Sequence, residues 1–168
     1  MVDTIETTRE LVVDNREKNN GQYLTFLMDK DEYGVDILAV QEIHGWVEPR
    51  PIPNTPEFIK GVIDWRGTVV PIADLRVRFG YKTVTYDKTT VIIIVRAFIQ
   101  DAAEQAIVGI VVDAVSDVYD ITSDNLREAP SFGNRVDTRY MKGIAKVEEN
   151  MIVLLDLGKL INLDDLQN

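Results

Sequence analysis

Apolar and polar positions along this chain alternate in short blocks that predict strands more often than helices. Tyr23-Leu24-Thr25-Phe26-Leu27-Met28 is rich in strand formers and predicts the first strand. Asp29–Glu32 supplies a polar turn, and Tyr33-Gly34-Val35 begins the return strand. Ile37, Val40 and Ile43 recur every three residues, which predicts a short helical turn. Pro49, Pro51, Pro53 and Pro56 interrupt the next stretch. Thr55-Pro56-Glu57 reads as a helix start, a hydroxyl cap followed by proline at the first helical position, with Gly61 ending that helix. Val62–Arg66 and Val69–Ile72 predict a hairpin around Gly67, and Asp74–Phe79 one more helical turn closed by Gly80. Val91-Ile92-Ile93-Ile94-Val95 has no polar face at all and predicts a buried strand.

Much of this pattern occurs twice. Phe58-Ile59-Lys60-Gly61-Val62 is matched by Tyr140-Met141-Lys142-Gly143-Ile144, and Val69–Leu75 by Met151–Leu157, at one ungapped offset of 82 residues. Upstream, Gly34-Val35 and Ala39-Val40 align with Gly109-Ile110 and Ala114-Val115 at an offset of 75, and Thr90–Val95 stands where Gln22–Leu27 stood. Each copy offers about five short strands and a helical turn, a pattern of small barrels. A barrel of that size is marginal alone, so two that pack together and share a core are expected. The expected fold is mostly β: two pseudo-symmetric five-stranded barrels on a shared core, with a few short helices. The expected divisions are a tail over 1–21, a first barrel over 22–87, and a second over 88–168 with a short C-terminal helix. Exchange of the first strand between barrels is left open, since Tyr23–Met28 could pair with either half.

Composition narrows the function. With no cysteine, disulfides, thiolate catalysis and sulfur-ligated metals are excluded together. A net charge of −10 opposes a nucleic-acid-binding barrel, because phosphate recognition draws on a basic surface. No apolar run approaches the ~20 residues of a membrane span, and the polar N-terminus lacks the apolar core of a secretion signal. The single histidine, His44, has no partners spaced to make a metal site. Asp74 and Asp156 end equivalent strands, as paired aspartates of an aspartic protease would. That loop, however, needs Thr or Ser and then Gly after the aspartate; leucine follows both here, so helix capping explains them better. Phosphate loops and nucleophile elbows are absent from the sequence.

Three long blocks carry a family resemblance: Asn54–Arg76, which reads NTPEFIKGVIDWRGTVVPIADLR, Tyr33–Ile43, and Val108–Val118. In order and spacing they resemble the CheW family of bacterial chemotaxis coupling proteins, over about Tyr23 to Asn162. Asp64 and Trp65 depart from a more usual asparagine and leucine. The resemblance implies two SH3-like barrels and no enzyme activity or cofactor. It implies two partners in the cytoplasm at membrane-associated receptor arrays: the regulatory domain of the histidine kinase CheA, and the hairpin tips of chemoreceptors. No nucleic-acid contact and no membrane insertion are expected. A scaffold for a non-chemotaxis sensor kinase is the alternative use of the same fold.

The candidate site residues fall into two groups. Arg66, beside Gly67 at a hairpin end, can fork onto a carboxylate or onto carbonyls of a helical partner, or be an ordinary solvated turn arginine. The resemblance implies receptor contacts near Gly61 and Arg66, with Glu42 a weaker member of that face. Leu24, Ile37, Val40 and Ile43 offer an apolar patch that the resemblance assigns in part to the kinase domain; burial in the core is the competing reading. Trp46 and Trp65 read as core or rim.

Overall fold

The computed structural model describes residues 21–161 apart from 83, 100–103 and 129–137. The tail expected over 1–21 lies outside the described residues except for Gly21, which opens the first strand. Eleven strands follow among the described residues: β1 (Gly21–Met28), β2 (Asp31–Asp36), β3 (Val40–Gly45), β4 (Ile59–Trp65), β5 (Thr68–Asp74), β6 (Val91–Ile99), β7 (Glu104–Val112), β8 (Ala114–Ile121), β9 (Leu126–Arg127), β10 (Met141–Val147) and β11 (Asn150–Leu155). Two four-residue helices, α1 (Leu75–Arg78) and α2 (Leu157–Leu160), follow β5 and β11. No helix among the described residues is long and apolar enough to cross a membrane.

The strands form two sheets, ordered β8-β1-β2-β11-β10-β9 and β3-β6-β7-β5-β4. Neither is drawn from one contiguous half of the chain. β1 and β2 join the later strands in the first sheet, while β6 and β7 join β3, β4 and β5 in the second. The chain crosses between sheets at a 3-10 turn, Ile37–Ala39, and again at Asp113, 75 residues later. This reciprocal exchange is the pairing freedom that the sequence left open, and it involves two strands of each half.

The duplication is visible in the pairing register. Gly34 of β2 lies parallel to Leu154 of β11, and Gly109 of β7 lies parallel to Ile72 of β5. These are the same contact under the 75- and 82-residue offsets. A Cβ on Gly109 would sit 2.6 Å from Ile72 Cδ1, so glycine is what lets the two parallel strands bring their interior side chains together. Thr25 stands opposite Gly34 as Ile94 does opposite Gly109. That places β6 one residue later than the sequence alignment of Thr90 with Gln22.

Three other local expectations change. The helix over Thr55–Gly61 is a single turn, closed by the Ile59 N–H donating to the Pro56 carbonyl at 3.0 Å, and the strand β4 starts at Ile59. Ile59, Val62 and Ile63 are β-branched and pair with β5, which outweighs the cap signal. Gly61 is therefore not a helix cap. It lies inside β4 at φ 138°, at a register shift between Ile59 and Gly61. The three-residue recurrence of Ile37, Val40 and Ile43 is one 3-10 turn followed by β3, not a helical face. The β1–β2 turn is tighter than expected: Asp29 adopts φ 57° and β2 begins at Asp31.

Burial follows both faces of the central strands. Leu24, Phe26 and Met28 of β1 share one cluster with Ile93, Val95 and Ala97 of β6 and Val108, Ile110 and Val112 of β7. This layer lies between the sheets. Tyr23, Ile121, Ala145, Ile152 and Leu154 form a separate interior in the first sheet, and Val70, Ile72, Ile92, Ile94 and Val111 another in the second. Adjacent residues such as Ile92 and Ile93 thus enter different cores, which is why Val91–Val95 has no polar face.

One polar cluster is buried with them. Arg76, 1% exposed, donates to both oxygens of Asp74, to the Thr85 carbonyl and to Asp113 Oδ1 at 2.7–3.0 Å. Burial alone would lower the guanidinium's pKa, but its bonds to Asp74 and Asp113 raise it. Asp113 Oδ2 accepts the Asp29 N–H, and the Asp113 N–H donates to the Leu27 carbonyl. The second crossover is thereby tied to α1 and to the β1–β2 turn. Tyr86, whose hydroxyl donates to Asp74 Oδ2 and whose ring lies 4.2 Å from Trp46, fastens the connection to β6. Its hydroxyl pKa is pushed up to about 12, first by burial and then by the Asp74 carboxylate.

Arg76→Ala removes the cation and strands the fully buried Asp74, so it is expected to cost about 3–5 kcal/mol, read as a lower denaturant midpoint. Gly61→Ala is expected to cost about 2 kcal/mol or more, because it combines positive φ with a Cβ driven into the Arg50 carbonyl. At the repeat position, Gly143→Ala meets the Arg127 carbonyl at 2.9 Å and should cost less in the same assay.

Candidate functional site

The hairpin of β4 and β5 presents the first group of candidate residues. Its two-residue turn is Arg66-Gly67, with φ 52° and 80°, a pair of left-handed residues of the kind that suits the right-handed twist of a tight hairpin. The Gly67 N–H donates to Asp64 Oδ1 at 3.0 Å and fixes the turn. Arg66 points outward with its side chain 70% exposed. Its Nη2 lies 3.3 Å from Glu42 Oε1 on β3, and its guanidinium carbon 5.0 Å from the Trp65 ring centroid. The Trp65 indole N–H donates to the other Glu42 oxygen at 3.0 Å. Arg66 and Glu42, assigned to one face in the sequence reading, are in direct contact.

Gly61 lies at the other end of β4, five residues or about 17 Å from Arg66 along an extended strand. It is buried, and the place of its missing Cβ is taken by the backbone of Arg50 and Pro51. Arg50 exchanges two 2.9 Å backbone hydrogen bonds with Val62. The second half repeats this bridge between Arg127 and Ile144. Gly61 therefore seats the proline-rich segment against β4. Between segment and hairpin runs an open groove of about 680 Å³, lined by Pro49, Pro51, Ile63 and Val69 among others. Val69 is 67% exposed.

The second group divides. Leu24 is core, 3% exposed. Ile37 and Val40 are half-buried at the rim of the inter-sheet layer. Ile43 is 47% exposed, paired across from Ile93 at the edge of the second sheet. An apolar rim of three residues remains, with Leu24 inside it.

Trp65 is more than a rim residue. It packs on the second sheet's interior cluster and still directs its N–H to Glu42. Its place beside Arg66 was visible in the sequence; its partner on β3 was not. Asp74 and Asp156 act as helix caps, accepting the N–H of Arg76 and of Lys159 respectively. No cluster of three or more metal-ligating side chains is found among the described residues.

Comparison with known proteins gives this arrangement a family. A CheW-like domain model matches residues 22–165. The chain is 43% identical over 145 residues to Chemotaxis protein CheW of Klebsiella aerogenes, covering 86% of this chain and 84% of that protein. Chemotaxis protein CheW of Rhizobium meliloti is 33% identical over 143 residues, 84% of this chain and 88% of the relative. The crystal structure of the scaffolding protein TtCheW from Thermoanaerobacter tengcongensis matches with a TM-score of 0.76 at 33% identity, covering 89% of this chain and 97% of that one. Two sheets of duplicated strands, the hairpin carrying Arg66, and these matches along nearly the whole described chain establish that the protein belongs to the CheW family.

Proposed function

We propose that the chain is a non-catalytic adaptor that couples chemoreceptor tips to the chemotaxis histidine kinase in the cytoplasm, at membrane-associated receptor arrays. The observation that carries this reading is an outward guanidinium at a hairpin end, held beside Glu42, whose neighbour on β3, Ile43, belongs to a partly exposed apolar rim. Two chemically different faces suit two different partners.

The receptor face is the β4–β5 hairpin with Arg66 at its end, Glu42 beside it, and Gly61 holding the proline-rich segment along its length. The proline-rich segment covers Gly61, so one helix of a receptor hairpin would lie in the groove between that segment and the hairpin and reach the Arg66 end. Its carboxylates or terminal carbonyls would accept from Arg66. The kinase face is the rim of Ile37, Val40 and Ile43, with Leu24 supporting it from the core. An apolar patch of the kinase regulatory domain completes it. No cofactor is required by either contact.

Two titrations on each purified variant test the division, one against a receptor-tip fragment and one against the kinase regulatory domain. Arg66→Glu should leave stability within about 0.5 kcal/mol and weaken receptor binding at least about tenfold. Arg66→Lys should recover only part of it, since an ammonium makes no fork. Kinase binding should survive both changes. Normal receptor binding by Arg66→Glu, or equal loss of both partners in a folded variant, refutes the assignment of Arg66.

On the other face, Ile43→Glu should remain folded by circular dichroism and lose kinase affinity by about a hundredfold or more, with receptor binding unchanged. A charge in an apolar contact costs several kcal/mol. Undiminished kinase affinity would remove this rim from the kinase interface.

A further inference from the structure

The outer edge of β4 stops being paired sooner than the outer edge of its repeat, β10. Arg50 exchanges both of its backbone hydrogen bonds with Val62, so the N–H and C=O of Val62 point away from β5. Asp64, two residues on, points the same way, and its backbone faces the groove lined by Pro49, Pro51 and Val69. Among the described residues, no group bonds to the Asp64 N–H or carbonyl on this side.

In the second copy the chain occupies this place itself. Arg127 faces Ile144 as Arg50 faces Val62. Two residues before Arg127 stands Asn125, whose Nδ2 donates to the Lys146 carbonyl at 3.3 Å. Lys146 is the equivalent of Asp64 at the offset of 82. Thr122 holds the other end of that carboxamide, since its N–H and its hydroxyl both donate to Asn125 Oδ1, at 3.0 and 3.1 Å. In the first copy the residue two before Arg50 is Glu48, and its carboxylate has no hydrogen to give to a carbonyl.

We propose that the backbone of Asp64 is a docking point for a carboxamide side chain, asparagine or glutamine, carried by the receptor helix in this groove. The proposal rests on the receptor reading given above and names the side chain that reading requires. The N–H and C=O of one strand residue project to the same side, and a carboxamide presents a donor and an acceptor in one plane. A helix spends its backbone groups internally, so it reaches a strand edge only with side chains. A carboxylate there would be repelled by Glu48 and Asp64, and an ammonium or guanidinium has no acceptor for the N–H. The carboxamide satisfies both backbone groups without charge, as Asn125 satisfies one of them in the second copy. Asp64 is ready for it. Its own Oδ1 accepts the Gly67 N–H at 3.0 Å, which fixes the strand end, and Val69 across the hairpin, 67% exposed, gives the stem an apolar wall.

The test titrates the protein with a purified receptor-tip helical hairpin in which each surface asparagine or glutamine is changed singly to the matching acid. One such change should weaken binding about tenfold or more, because it deletes the donor and places a third carboxylate beside Glu48 and Asp64. Against Glu48→Gln, an exposed change that restores a donor, the same acidic tip should lose about threefold or less. Solvent exchange of the Asp64 amide should slow about tenfold or more when the unmutated tip binds, and not when that acidic tip binds. Binding of every acidic tip within about twofold of the unmutated one overturns the proposal. So does equal protection of the Asp64 amide by all of them, which would mark an extended segment paired through its backbone. In both cases the receptor reading stands. Absence of binding by the unmutated tip refutes that reading, and the proposal with it.

Discussion

The apolar layer between the two sheets takes side chains from strands far apart in the chain, and the remaining architecture follows from it. β1 gives Leu24, Phe26 and Met28 to this layer and β6 gives Ile93, Val95 and Ala97. Each of these strands also lines the interior of a different sheet, with Tyr23 on one side and Ile92 on the other. A strand buried on both faces cannot lie at the edge of its own half. It becomes central by lying between strands of both halves, β1 between β8 and β2, β6 between β3 and β7. Reciprocal exchange is the arrangement that satisfies both copies at once. Arg76 and Asp113 then fasten one of the two points where the chain crosses over; neither has a counterpart in the other copy, where Gly158 and Leu38 stand.

The face proposed to meet the receptor sits where the two copies differ in outward chemistry. The β4–β5 hairpin and the β10–β11 hairpin share a left-handed first turn residue, Arg66 and Glu148, and their bulge, including a glycine set against a neighbouring carbonyl. What differs is the outward chemistry: Arg66-Gly67 at one end, Glu148-Glu149 at the other. Exposed apolar residues do repeat, since Ile43 at 47% and Val118 at 42% occupy equivalent positions on β3 and β8. The frame is common to both copies, and the first carries the basic end.

The mostly β class, the duplication and the second helical turn were legible because they depend on local signals: strand formers, an ungapped repeat, and an aspartate ahead of Leu75. The helix predicted over Thr55–Gly61 failed for a physical reason. Its cap residues are real helix signals, but Ile59, Val62 and Ile63 bury more by pairing with β5 than one short helix could. Of the candidate site, Arg66 was readable from its place beside a turn glycine. Its link to Glu42 was not, because it joins residues 24 positions apart on strands at opposite edges of the second sheet. Leu24 shows the converse. Apolar spacing cannot separate a rim residue from a core residue when both lie at the same layer.

The pairing of β1 with β8 has a consequence for how the protein is made. Gly21 lies opposite Ile121, so the first strand leaves the ribosome about a hundred residues ahead of its outer neighbour. Its other neighbour, β2, arrives at once, but β2 in turn awaits β11 at Ile152–Leu154. At roughly 5–20 residues per second, this early hairpin waits several seconds to some tens of seconds with apolar faces uncovered. The second sheet waits less, since β3 to β7 are complete once Val112 has emerged. Synthesis therefore finishes the sheet bearing Arg66 first and closes the sheet of the earliest strands last. Among the described strands, the nascent hairpin of Gly21–Asp36 waits longest for its neighbours.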